Sequence, residues 1–214
     1  MENARRDFLK QTALIGGVAV SAPFMSGTAE AAGPGAGAVR LADPTMAKAL
    51  VVLNYKDKTS KQFVLGVKTE KGILQVAKAA KQFKTTAPMT TDALIQRGDQ
   101  GLGKLVQMAV AKGQANLFLD ESSIEFAPAI TNPEKIVCVG LNYAKHAKET
   151  NNPIPKLPIL FNKFNNTLNA HNGIVRASVV NAEKFDYEAE LVIVMGRRAY
   201  NVSEADALSY VFGY

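Results

Sequence analysis

The stretch Tyr187-Glu188-Ala189-Glu190-Leu191-Val192-Ile193-Val194 carries the densest chemical signal in the chain. Side chains two apart on a strand share a face, so Glu188 and Glu190 point the same way as Val192 and Val194. Strand rise puts their Cα atoms about 7 Å apart. If that face is buried, the two carboxylates cannot both stay ionised without a cation or a proton. A divalent metal resolves the conflict, and hard oxygen donors suit magnesium, manganese or calcium. The alternative is a strand end open to water, with Arg197 and Arg198 as partners for surface carboxylates.

The second constellation is His146 and Glu149, within Asn142-Tyr143-Ala144-Lys145-His146-Ala147-Lys148-Glu149. Residues i and i+3 are neighbours on a helix. A carboxylate beside an imidazole orients it and raises its basicity, and such a dyad can take a proton from water. The competing reading is an exposed helix turn with an incidental pair, since surface pairs at this spacing are frequent. The other histidine, His171, has no acidic neighbour in sequence and receives no role. Cys138 lies in the apolar run Ile136-Val137-Cys138-Val139, where a small buried hydrophobe is the better reading than a nucleophile.

These residues need elements to position them. Residues 50–53 and 63–67 read as strands around the polar turn Lys56-Asp57-Lys58. Residues 73–83 read as a helix with Ile73, Val76, Ala77 and Ala80 on one face. Thr91-Asp92 reads as a cap for a helix from Ala93, and a further helix is predicted over 102–111. Residues 115–119 and 124–126 are short strand candidates. Pro128, Asn132 and Pro133 break the chain and mark a domain boundary. Beyond it, 136–139 is a buried-looking strand, a short helix ends at Glu149, 151–158 is a proline-rich loop, and 158–161 is a strand leading to Lys163. Residues 187–195 form the strongest strand pattern in the sequence. Ser203 and Asp206 have capping-box spacing for a helix from Glu204.

The N-terminus has the order of an export signal. Arg5-Arg6-Asp7-Phe8-Leu9-Lys10 precedes an apolar, glycine-containing stretch from Ala13 to Met25, then Ala29-Glu30-Ala31 as a small-residue exit. The apolar stretch is too short for a membrane span, so no stable anchor is expected. Gly16, Gly17 and Pro23 argue against an ordinary amphipathic helix. The paired arginines resemble a twin-arginine signal, which implies engagement of that export machinery and delivery to the periplasm in a folded state. The chain of 214 residues has a formal charge of +6, but its basic residues are scattered. Without a basic patch, a zinc-finger pattern or a helix-turn-helix pattern, nucleic acid is not an expected partner. A single cysteine excludes an internal disulfide.

Several motifs together resemble the fumarylacetoacetate hydrolase family. They are Lys135 through Tyr143 running on to His146 and Glu149, Pro158-Ile159-Leu160-Phe161 with Lys163, Phe185 through Leu191, and Tyr210-Val211-Phe212-Gly213-Tyr214. The likeness is strong over 135–214 and loose over 46–134. It implies an α+β fold: a small N-terminal domain at 46–130, then the N-terminal portion of a mixed β-roll catalytic domain at 131–214. Residues 1–31 would be the signal and 32–45 a linker. It further implies Glu188 and Glu190 as two of three carboxylate ligands to Mg2+ or Mn2+, with Ca2+ allowed. His146 and Glu149 would be the water-activating dyad, and Lys163 would hold a substrate carboxylate or developing oxyanion. The implied activity is metal-dependent hydrolysis of carbon–carbon bonds in small dicarbonyl acids, by a homodimer when full length. Decarboxylation, isomerisation or lyase chemistry on oxo acids is the alternative, as is a non-catalytic exported ligand-binding protein. Family members carry an aspartate ligand and a second lysine after the Phe-Gly-Tyr segment. The chain is therefore expected to be a C-terminally truncated fragment, with 32–214 poorly soluble and inactive alone.

Overall fold

The structure, a computed structural model, describes residues 50–177, 183 and 185–214. The export signal and linker read from residues 1–45 lie outside the described residues. Contacts divide the described chain into two units, one holding 137–162 and the other holding 50–136 with 163–177, 183 and 185–214. The described chain mixes helices with small sheets.

The larger unit is built on a four-stranded antiparallel sheet in chain order: β1 (Val51–Lys56), β2 (Phe63–Thr69), β3 (Gly72–Gln75) and β4 (Phe118–Leu119). The β1–β2 turn closes through Asp57, whose carboxylate accepts from the Ser60 N–H at 2.7 Å, the Ser60 hydroxyl at 2.8 Å and the Thr59 N–H at 3.1 Å. These bonds, led by the Ser60 N–H, hold the Asp57 carboxyl below its usual range. Gly72 has φ +108°, and a Cβ there would meet the Leu119 carbonyl oxygen at 2.6 Å, so β3 and β4 can approach only at a glycine.

Three helices follow: α1 (Val76–Gln82), α2 (Thr91–Arg97) and α3 (Leu102–Lys112). Leu65 and Val67 on one face of β2 pack with Val76, Ala79 and Ala80 of α1, Leu94 of α2, and Leu102, Leu105, Val106 and Ala109 of α3. The i, i+3, i+4 spacing in α3 produces this apolar stripe. The helix expected from Ile73 begins only at Val76. Ile73 and Leu74 are instead fully buried in β3, paired with Lys68 and Val67 on one side and with Leu119 and Phe118 on the other. The cap of α2 is Thr90, whose hydroxyl accepts from the Ala93 N–H, one residue earlier than the sequence suggested.

Thr91 serves a buried network instead. Asn54, fully buried in β1, donates to the Thr91 hydroxyl at 2.7 Å and to the Pro128 and Ala129 carbonyls at 3.1 Å each. Its own amide oxygen accepts from the Thr91 N–H at 3.0 Å. Asp92 then accepts from the Thr131 N–H and hydroxyl and from the Asn132 N–H. Every polar atom that Asn54 buries is thereby partnered, as burial requires. The segment 127–132 is laced to β1 and α2, whereas the strand expected at 124–126 is only a bridge between Phe126 and Tyr55.

In the other unit, β5 (Ile136–Gly140) pairs with β6 (Ile159–Lys163) in a two-stranded sheet, and α4 (Ala144–Glu149) lies between them in sequence. Burial alternates along β5, while every residue of β6 is exposed. Among the described residues, no helix is long and apolar enough to cross a membrane.

The expected strand at 187–195 is corrected by the structure. Only β7 (Val194–Met195) pairs, with β8 (Val211–Gly213), after the short helix α5 (Glu204–Ala207). Residues 187–193 take no regular structure and are exposed, Leu191 and Val192 at 66% each. Periodicity reports which side chains share a face. It does not supply the neighbouring strand that turns an apolar face into a buried one.

Candidate active site

His146 and Glu149 sit on the six-residue helix α4. Ala147, fully buried between them in sequence, anchors the helix, leaving His146 half-buried and Glu149 exposed. The helix ends on Thr150, whose N–H and hydroxyl both donate to the His146 carbonyl, at 3.1 and 2.9 Å. The backbone on either side is left-handed, at Leu141 with φ +53° and Asn151 with φ +58°. Asparagine tolerates that region, whereas a leucine there is uncommon and costs about 1–3 kcal/mol. Leu141 is a feature sequence reading missed, since nothing in the type of the residue signals positive φ. It turns the end of β5 sharply into the segment that carries the dyad.

Lys163 is the last residue of β6 and is exposed. Near the start of the same strand, a Cβ built at Gly140 of β5 would meet Ile159 at 3.5 Å, an ordinary contact. Glu188 and Glu190 lie in the non-regular segment ahead of β7, and both are exposed. The dyad belongs to one unit, and Lys163, Glu188 and Glu190 to the other.

Among the described residues, no three His, Cys, Asp or Glu side chains gather as a metal cluster. The donor chemistry of Glu188 and Glu190 nevertheless fits a hard divalent cation. Magnesium is often held by only one or two carboxylates, with waters and substrate oxygens completing its shell. The reading in which Arg197 pairs with a surface carboxylate has a different outcome. Arg197 donates from Nη2 to the Ser209 hydroxyl at 2.6 Å and lies over the Tyr210 ring, 4.0 Å from its centroid. His171 packs edge-on against Phe126, with ring centroids 5.0 Å apart. Cys138 is half-buried, in keeping with a packing role.

Downstream, the Ser203 hydroxyl accepts from the Asp206 N–H at 3.2 Å and donates to the Asp206 carboxylate at 2.7 Å, so Ser203 caps the helix as its spacing to Asp206 predicts. α5 then returns the chain to β8.

Comparison with known proteins places these residues. Residues 135–214 match the fumarylacetoacetate (FAA) hydrolase C-terminal family. The mitochondrial oxaloacetate tautomerase fahd2 of Xenopus laevis is 31% identical over 171 residues, covering 80% of this chain and 51% of the relative. The fumarylacetoacetate hydrolase domain-containing protein 2 homolog of Dictyostelium discoideum is 51% identical over 82 residues, covering 38% of this chain and 27% of the relative. In fold, the chain resembles the crystal structure of a candidate HpcE protein from Mycobacterium smegmatis, with a TM-score of 0.51 and 24% identity, over 75% of this chain and 52% of that one. The chain spans about half the length, or less, of these relatives. The family match and the fumarylacetoacetate hydrolase-domain relatives support the resemblance read from the sequence, and all five candidate residues lie within the matched stretch.

Proposed function

We propose that this chain contributes to an enzyme performing general-base chemistry on small 2-oxo acids. The observation that carries the reading is coincidence: His146, Glu149, Lys163, Glu188 and Glu190 all fall inside residues 135–214, the stretch that matches the family. Each also has a residue type suited to the chemistry. The remaining fold in this proposal is the mixed β-roll of the family behind a small N-terminal domain at 46–130, assembled as a homodimer.

Glu188 and Glu190 would hold Mg2+ or Mn2+, with Ca2+ also chemically allowed. The ion supplies Lewis-acid polarisation of a substrate keto oxygen. His146, oriented by Glu149, takes a proton from a water molecule, which then adds to a carbonyl carbon of a dicarbonyl acid. The carbon–carbon bond beside that carbonyl breaks, and its electrons pass to the enolate of the departing oxo acid. Lys163 holds a substrate carboxylate or the developing oxyanion.

A second reading is favoured by the Xenopus relative, an oxaloacetate tautomerase. There the same imidazole would take a proton from the carbon next to the keto group. The electron pair would move to form the enol, whose oxygen is protonated in turn. Both readings need one base and one stabilised oxyanion, so the residues listed above serve either.

The test is turnover with Mn2+ on an acylpyruvate and on oxaloacetate. Cleavage of the acylpyruvate supports hydrolysis, and keto–enol interconversion without loss of carbon supports tautomerisation. Release of CO2 from oxaloacetate supports decarboxylation. Binding of oxalate with no turnover supports the non-catalytic reading instead, and neither binding nor turnover overturns the proposal.

We also propose export through the twin-arginine route, supported by Arg5-Arg6-Asp7-Phe8-Leu9-Lys10 and the exit at Ala29-Glu30-Ala31. Passage in a folded state would let the protein bind its metal before delivery to the periplasm.

A further inference from the structure

The β7–β8 ladder is too short to define itself. It has two residue pairs, Val194 with Gly213 and Met195 with Val211, and the register shifts between them so that Phe212 is bypassed. Two-stranded ladders of this length are marginal unless other contacts hold them. A one-residue slip in register turns every side chain along a strand to the opposite face. Glu190 lies only four residues before Val194, so β7 fixes one end of the non-regular segment that carries Glu188 and Glu190.

β8 has a fixed reference, because Phe212 packs against the main hydrophobic core. β7 is tied to it just past its end. The Gly196 N–H donates to the Tyr210 carbonyl at 2.8 Å, and a Cβ at Gly196 would come within 3.2 Å of the Phe212 Cβ. Arg197 comes next. Its guanidinium covers the Tyr210 ring and donates to the Ser209 hydroxyl, which in turn donates to the Asp206 carbonyl at 2.7 Å. Its Nε is buried without a hydrogen-bond partner among the described residues. A charged group left with an unpaired buried donor is not placed there by hydrogen bonding alone. The flat stack on Tyr210 accounts for its position, and a lysine could not reproduce that geometry.

We propose that Arg197 is a positioning residue: its guanidinium fixes the register of β7 on β8, and with it the anchor point of the non-regular segment that carries Glu188 and Glu190. The proposal rests on reading those two glutamates as metal ligands. Arg197 itself touches neither substrate nor ion. It acts through the strand, as supporting groups around a metal site act through its ligands.

The experiment joins a register probe to a metal probe in the full chain. In a Cys138→Ala background, Val194→Cys with Gly213→Cys places two thiols on paired positions, and a Cβ at Gly213 meets nothing within 4 Å. Mild oxidation should give an intramolecular disulfide when Arg197 is present. Arg197→Ala should reduce that product to a minor fraction and, without the added cysteines, weaken Mn2+ binding by about 10–100-fold, the usual range for lost outer-shell support. Arg197→Lys should fall between the two. Both readouts are taken well below the melting midpoint, where a residue that only adds stability would leave them unchanged. Wild-type cross-linking and wild-type Mn2+ affinity in Arg197→Ala would overturn the proposal. If Arg197→Ala does not fold, the same two readouts in Arg197→Lys decide. Unchanged Mn2+ affinity in Glu188→Gln and Glu190→Gln would instead remove the metal reading, and the disulfide yield would still judge the register claim.

Discussion

His146 and Glu149 stand three apart on a helix whose only fully buried residue is Ala147, so the helix is anchored by one small side chain and its polar groups stay accessible. That suits an imidazole that must exchange protons. His146→Ala should lower turnover of the productive oxo acid by roughly 10²–10⁴, the usual contribution of a general acid–base group. Oxalate binding should persist, because it does not need the base. Steady-state kinetics with oxalate inhibition checks both, and near-normal turnover in the variant would remove the role. The placement of His146 and Glu149 on one helical turn was legible in the sequence, because local periodicity is enough to relate residues i and i+3. The strand alternation read for Glu188 and Glu190 did not hold, while the alternative of exposure to water did, because both depend on what pairs with and covers the segment. The sequence offered Arg197 as one alternative partner for surface carboxylates, whereas the structure places it on Ser209. Its hydrogen-bond partner Ser209 lies twelve residues away, beyond the reach of any local pattern.

At the scale of elements, the helices α2 and α3 and the strands β1 and β2 followed from apolar periodicity and turn residues. β3 did not, since Ile73 and Leu74 fit a helix stripe as well as an inner strand, and only the pairing with β2 and β4 decides. The 187–195 strand failed for the converse reason, as two of its residues pair and the rest take no regular structure. The segment 127–132 was read simply as a break, yet it is held by the Asn54, Thr91 and Asp92 network. Burial pushes the Asp92 carboxyl upward, but the Thr131 hydroxyl, the Thr131 N–H and the Asn132 N–H together hold it below its usual value. A carboxyl lowered in the folded state adds stability above its unfolded pKa of about 3.9 and loses it as pH falls through the folded value. Asp92→Asn should therefore cost about 1 kcal/mol at pH 7, allowing for the partial exposure of the group. The difference from wild type should shrink below about pH 4 as the wild-type carboxylate takes up its proton. Urea melts at several pH values check this, and a cost that stays constant into acid would contradict the role of charge.

Across the whole molecule, burial and chemistry are separated along the sequence. The main core draws its buried side chains from 65–117, whereas the candidate catalytic residues all lie between 146 and 190, among many exposed apolar side chains. The first region holds the main core, and the second carries the family match. The N-terminal export reading belongs to this scale too. Replacing Arg5 and Arg6 together by lysine should leave precursor in the cytoplasm, and cell fractionation showing undiminished periplasmic delivery would contradict twin-arginine export. The central claim is an oxo-acid enzyme whose metal rests on Glu188 and Glu190. The most direct measurement is calorimetric titration of Mn2+ in the presence of oxalate, comparing the wild-type full-length protein with its Glu188→Gln and Glu190→Gln variants. The account predicts one saturable Mn2+ site in the wild type, weakened by about tenfold or more in each variant, as expected when a hard cation loses a charged oxygen donor. Matching isotherms for wild type and both variants would contradict it.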